Sequence, residues 1–96
     1  MTDNFDVTKN EAMRRYETTV DGFTAELTYR VRDDRLVLTH TGVPPAIEGR
    51  GIGSALVRAA VEDAVANDLT VVPLCSFVAA WLDRHPGHQA KVDLTA

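Results

Sequence analysis

Three features of the sequence are able to do chemistry. The first is Gly49-Arg50-Gly51-Ile52-Gly53-Ser54, where glycines alternate immediately ahead of a helical pattern. Such glycines let backbone N–H groups converge at the start of the helix, where the dipole adds about half a positive charge. A corner of that kind suits a phosphate or pyrophosphate, and Arg50 inside the turn adds a second positive group. The same glycines also fit a plain tight turn that needs positive φ and close packing. Two nucleotide-binding patterns fail here: no lysine follows Gly53, as a Walker loop requires, and Leu56 stands where the dinucleotide fingerprint needs a third small residue.

The second and third features are single residues. His40 is a candidate general base, since an unperturbed imidazole titrates near pH 6.5. Cys75 is a candidate nucleophile; it lies beside the start of a helix capped by Ser76, a position that lowers a thiol pKa. Each has a plain structural reading: a lone cysteine commonly packs in a core, and His40 shares an alternation with Leu36 and Leu38 that would make it a core histidine. His85 and His88 flank Pro86-Gly87 without a third ligand nearby, so they read as a solvated loop and no metal is expected. Arg58 and Glu62 read as a solvent-facing pair, and Phe77 and Trp81 as the core stripe of the final helix.

The elements that position these residues follow from periodicity. Residues 1–12 read as a flexible tail or weak edge strand, and residues 13–96 as one domain. Tyr16–Val20 reads as a strand, Asp21-Gly22 as a two-residue hairpin turn, and Phe23–Arg32 as a strand whose alternate residues Phe23, Ala25, Leu27, Tyr29 and Val31 point one way. Asp33-Asp34 turns the chain into a third strand, Arg35–Thr41, with Leu36, Leu38 and His40 on one face. A loop with Pro44 and Pro45 leads to an amphipathic helix whose stripe is Val57, Ala60, Val61, Ala64 and Val65. Leu69–Leu74 reads as a buried strand in which Pro73 marks the end of pairing with one neighbour, and Phe77 to about Arg84 as a last helix. The order is β-β-β-α-β-α, with one right-handed crossover joining parallel strands.

Composition sets the outer bounds. Ninety-six residues, 45% hydrophobic, make one small globular domain. A net charge of −4 argues against a general nucleic-acid binder. No apolar run is long enough to span a membrane. The polar start lacks a signal-peptide pattern and the single cysteine cannot form an intrachain disulfide; together these point to the cytoplasm.

The meander, the Gly-x-Gly turn, the amphipathic helix and the strand and helix after it resemble the GCN5-related N-acetyltransferase superfamily. Glu48-Gly49-Arg50-Gly51-Ile52-Gly53 matches both glycines of its pyrophosphate motif Gln/Arg-x-x-Gly-x-Gly/Ala, with Glu48 in the first position. GRGIGSALVRAAVEDA followed by VVPLCSFVAAWLDRHP is similar to a small stand-alone subfamily, the YjdJ-like group, over about residues 14–88. The resemblance implies a minimal α+β fold: an antiparallel β-meander, then a β-α-β crossover with splayed parallel strands and a short C-terminal helix. It implies acetyl-coenzyme A as co-substrate, with backbone from Thr41 to Val43 along the pantetheine arm and Gly49, Arg50, Gly51, Ile52, Gly53 and Ser54 around the pyrophosphate. It also implies catalytic roles for His40 and Cys75 beside the gap between the strands. The two helices that cover the acceptor in full-length members have no counterpart here, so the acceptor side should be open. An open side admits a protein as the amine acceptor, or a site completed by a second protomer in a homodimer. The alternative function is a coenzyme A-binding module with a regulatory role and little catalysis.

Overall fold

The computed structural model describes residues 5–95. Of the stretch 1–12, expected as a flexible tail or weak edge strand, residues 1–4 lie outside that range, and a short edge strand occupies Thr8–Asn10. A six-stranded sheet runs in chain order: β1 (Thr8–Asn10), β2 (Arg15–Val20), β3 (Phe23–Arg32), β4 (Arg35–Gly42), β5 (Thr70–Pro73) and β6 (Lys91–Val92). Helix α1 (Ile52–Ala66) joins β4 to β5, and α2 (Ser76–Arg84) joins β5 to β6; a short 3-10 turn covers Pro45–Ile47. The first four strands pair antiparallel and the last three parallel. This is the meander-plus-crossover architecture expected from the sequence, extended at both edges by a short strand.

Local chemistry explains the meander. Asp21 and Gly22 both take positive φ, the mirror-image turn whose twist suits a two-residue hairpin. Asp33 does the same between β3 and β4. Along β3 the alternation holds in the middle, where Ala25, Leu27 and Tyr29 are buried, and fails at the ends, where Phe23 and Val31 are exposed.

Both helices cover one face of the sheet. Leu27, Leu36 and Leu38 from the strands meet Leu56, Val57, Ala60 and Val61 of α1 and Val78, Trp81 and Leu82 of α2 in a single core. Truncating a fully buried leucine in such a core costs about 2–5 kcal/mol. Val65, expected in the α1 stripe, lies at its edge and is exposed. Two polar ties hold the helices in place: the Tyr16 hydroxyl donates to Asp63 at 2.6 Å, and Trp81 Nε1 donates to Ser54 Oγ at 2.8 Å. Among the described residues no helix covers the opposite face.

One irregularity in β4 changes the site. Tyr29 pairs with Leu38, but Thr28 pairs with His40, so Thr39 is an extra residue. The inserted residue inverts the alternation beyond it. Thr41 then pairs with Leu27 on the helix-covered face, and His40 pairs with Thr28 on the open face. The expectation that His40 shares a face with Leu36 and Leu38 is therefore corrected, and the imidazole is exposed.

Candidate functional site

The start of α1 is a glycine turn that leaves backbone amides free. Gly49 and Gly51 hold φ of +81° and +80°, and Gly51 is the N-cap with no side chain to cap the helix. Only glycine adopts that backbone without cost. The first helical hydrogen bond runs from Ala55 N–H to the Gly51 carbonyl. The amides of Gly51, Ile52, Gly53 and Ser54 thus have no backbone acceptor among the described residues, and the dipole adds to their positive potential.

The side chains of the turn have other tasks. Ile52 is buried, so only its amide serves the corner. Ser54 Oγ accepts from Trp81. Arg50 Nη1 lies 2.9 Å from Asp21 Oδ2, which ties the turn to the β2–β3 hairpin. Gly53 is explained by a neighbour: a Cβ there would stand 2.9 Å from Cζ of Phe77. Phe77 was expected in the core stripe of α2; its ring instead rests, partly exposed, over Gly53 beside the corner. Arg58 and Glu62 are both exposed, as expected, but form no ion pair among the described residues; the Arg58 guanidinium lies over the Trp81 ring at 5.5 Å. His85 stacks on the other contact of that indole at 4.0 Å, and His88 accepts from the Ala90 amide.

A gap opens between the two central parallel strands. Their pairing ends at Leu38 and Pro73, and the Leu38 carbonyl accepts from both Leu74 and Cys75 amides at 3.0 and 3.2 Å. Proline has no N–H to continue the ladder. Beyond that point β4 runs on to Gly42 while β5 has ended. This is the splay expected from the sequence, and Val43 packs against the core just past it.

Cys75 stands at the mouth of the gap as the N-cap of α2, a place expected for Ser76. Its sulfur lies 3.5 Å from Thr41 Oγ1. Burial pushes the thiol pKa up, but the Thr41 hydroxyl and the N–H groups of Val78, Phe77 and Thr41 outweigh it and hold the thiol below its ordinary range. His40 makes no hydrogen bond to the sulfur among the described residues. Its ring leaves β4 one residue away on the opposite face, near Gly42 and Glu26: a Cβ on Gly42 would meet His40 Nε2 at 3.4 Å and Glu26 Cγ at 3.7 Å. The two catalytic candidates thus flank one stretch of β4 from its two faces. The bulge at Thr39 carried no signal in the sequence, because a bulge without glycine has no residue signature.

Residues 15–92 match the family model described as GCN5-related N-acetyl-transferase. The chain belongs to the GCN5-related N-acetyltransferase family. A solved relative agrees: the NMR structure of a GCN5-like candidate N-acetyltransferase from Staphylococcus aureus is 30% identical, with a TM-score of 0.72, and the match covers 94% of this chain and 89% of that one. The family makes acetyl transfer the chain's class of chemistry, and the Gly49–Ser54 turn and the splayed strands lie within the matched residues.

Proposed function

We propose that the chain moves an acetyl group from acetyl-coenzyme A to an amine presented on the open face of the sheet, with His40 as general base. The observation that carries this reading is the position of His40, exposed on the helix-free face and directly beside the gap. The turn fits the coenzyme: four consecutive amides without acceptors and a helix dipole suit a diphosphate. The unpaired stretch of β4 suits an extended arm, with Thr41 and Val43 along it. Bound there, the coenzyme supplies the activated acetyl thioester. Gly49, Gly51, Ile52, Gly53 and Ser54 hold its phosphates through backbone N–H groups, and Arg50 keeps the turn in place through Asp21. The amine would attack the thioester carbonyl and the C–S bond would break; His40 Nε2 or Nδ1 takes the proton that the amine loses, and the departing coenzyme A thiolate takes up a proton to leave as the thiol. The thiol of Cys75, its pKa lowered by the Thr41 hydroxyl and nearby N–H groups, lies where the coenzyme's sulfur end would enter. With a single thiol and no helix among the described residues able to cross a membrane, a reducing, cytoplasmic setting suits the site.

A second reading has its own support. The donors around Cys75 favour a thiolate, and a thiolate so placed can take the acetyl group before the amine does. Incubation with acetyl-coenzyme A and intact-mass measurement separates the two: a gain of about 42 Da that is lost in Cys75→Ala marks the covalent route. On the direct route Cys75→Ala keeps most of its turnover and His40→Ala loses about 100-fold or more while binding the coenzyme normally. If coenzyme binding is measured by calorimetry and no turnover appears with any amine, the chain is a coenzyme-binding module instead.

A further inference from the structure

The open face carries a second feature, at the far end of β3. Strand β2 begins at Arg15, opposite Thr28, and its last link to β3 is the Tyr29 amide bonded to the Arg14 carbonyl at 2.9 Å. Arg30, Val31 and Arg32 run on without a partner on that side, although β4 pairs with them on the other. A cleft follows this free edge, and Lys9, Glu11, Arg14, Arg30, Val31 and Arg32 are among its lining residues. Lys9 is already paired with Asp63. The guanidinium groups of Arg14, Arg30 and Arg32 make no hydrogen bond or ion pair among the described residues, while Arg15, Arg35 and Arg50 all do. Three uncompensated guanidiniums gathered on one edge of a chain of net charge −4 call for an anionic partner.

The register relates this edge to His40. Thr28, Arg30 and Arg32 alternate onto the same face of β3, and Thr28 is the residue opposite His40. At the ordinary strand rise the two arginines stand about 7 and 13 Å along β3 from that position. An extended chain spans the same distances in two to four residues. The exposed Val31 between the arginines offers an unpaired strand edge to such a chain.

Resting on the acetyl-transfer reading, we propose that the acceptor is a polypeptide: an extended acidic segment adds to the β3 edge at Arg30–Arg32, its carboxylates pair with Arg14, Arg30 and Arg32, and an amine two to four residues away is delivered to His40. An unpaired backbone edge selects for peptide over nucleic acid, and Glu11, Asp33 and Asp34 close to the arginines would repel a continuous phosphate backbone.

The test uses short fluorescent peptides that differ only in the charge flanking one lysine. Binding is read by anisotropy without coenzyme, and acetylation of the same peptides by mass spectrometry with acetyl-coenzyme A. The acidic peptide should bind about tenfold or more tightly than its basic counterpart and lose that advantage as salt rises. Arg30→Glu with Arg32→Glu should invert the preference, and the milder Arg30→Gln with Arg32→Gln should erase it, both with coenzyme affinity unchanged. Equal binding of acidic and basic peptides, or an acidic preference that survives both double variants, overturns the proposal. So does a single-stranded RNA that binds these arginines more tightly than the acidic peptide. Acetylation that ignores flanking charge removes this docking edge and leaves the transfer reading standing. An acidic peptide held at the edge but never acetylated supports the docking edge and removes the transfer reading.

Discussion

The Cys75 sulfur lies 3.5 Å from the Thr41 hydroxyl, and the next residue back, His40, projects from the other face of the same strand. One extra residue, Thr39, makes this possible: it lets neighbouring positions of β4 serve the helix side and the open side of a single gap. The thiol is thereby held among oriented donors while the imidazole is exposed on the other face.

The thiol environment can be read by alkylation. Because the donors hold the Cys75 pKa below its ordinary range, its reaction with iodoacetamide should persist to lower pH than that of free cysteine. Thr41→Val removes the hydroxyl and keeps the shape, so the alkylation midpoint should move up in pH. His40→Ala should leave the midpoint where it is. A midpoint that follows His40 would place the imidazole beside the sulfur after all.

Gly53 and Phe77 should behave as a coupled pair. A methyl group at position 53 drives against the Phe77 ring, with Cζ at 2.9 Å and Cε2 at 3.1 Å from the ideal Cβ. Gly53→Ala should cost about 1–3 kcal/mol, the usual effect of overpacking. Adding Phe77→Ala should recover a large part of it, a non-additivity that a double-mutant cycle in urea measures directly. Simple addition of the two costs would mean the ring is not what keeps position 53 a glycine.

The fold was largely legible because its signals are local. Asp21-Gly22 dictates a hairpin, Gly51 opens α1, and Pro73 ends the parallel ladder, each through its own backbone preference. The site was legible only in part. His40 and Cys75 were found by residue type, but their faces depend on the bulge at Thr39, which follows from how β3 and β4 settle together. Strands of two or three residues, such as β1 and β6, are too short for any periodicity to show. Arg50 looked like a ligand for an anion because its partner, Asp21, is distant in sequence.

Gly42 should act as a positioning residue for the base. A Cβ there would crowd His40 Nε2 at 3.4 Å, so Gly42→Ala obliges the ring to shift by a few tenths of an ångström. With His40 as base, turnover should fall about tenfold, since displacement of a reacting group by a fraction of an ångström is costly. Coenzyme affinity should stay the same, because the ring lies on the opposite face from Thr41. A loss confined to coenzyme binding, with turnover intact at saturation, would assign Gly42 to the arm instead.

Asp63 ties three elements together and should set the pH limits of stability. Its carboxylate accepts from the Tyr16 hydroxyl at 2.6 Å and pairs with Lys9 at 2.8 Å, joining α1 to β2 and to the edge strand β1. Burial alone would raise the Asp63 pKa, yet the hydrogen bonds from Lys9, Tyr16 and Asn67 hold it below its ordinary value of 3.8. The carboxylate therefore contributes its full stability above the unfolded value and loses it as pH falls through the depressed folded value. Tyr16 and Lys9 set the alkaline side: burial pushes Tyr16 up and the Asp63 hydrogen bond raises Lys9, so their contributions hold below the unfolded values near 10 and fade as pH rises beyond them. Asp63→Ala leaves the buried Tyr16 hydroxyl without its acceptor and should cost about 1–3 kcal/mol near neutral pH. It should also flatten the acid limb of a stability–pH profile measured by urea unfolding. Tyr16→Phe on its own should cost about 1 kcal/mol, and nothing further once Asp63 is gone. An acid limb that keeps its slope in Asp63→Ala would move the controlling carboxylate elsewhere, with Glu17, held low by Arg15, the next to test.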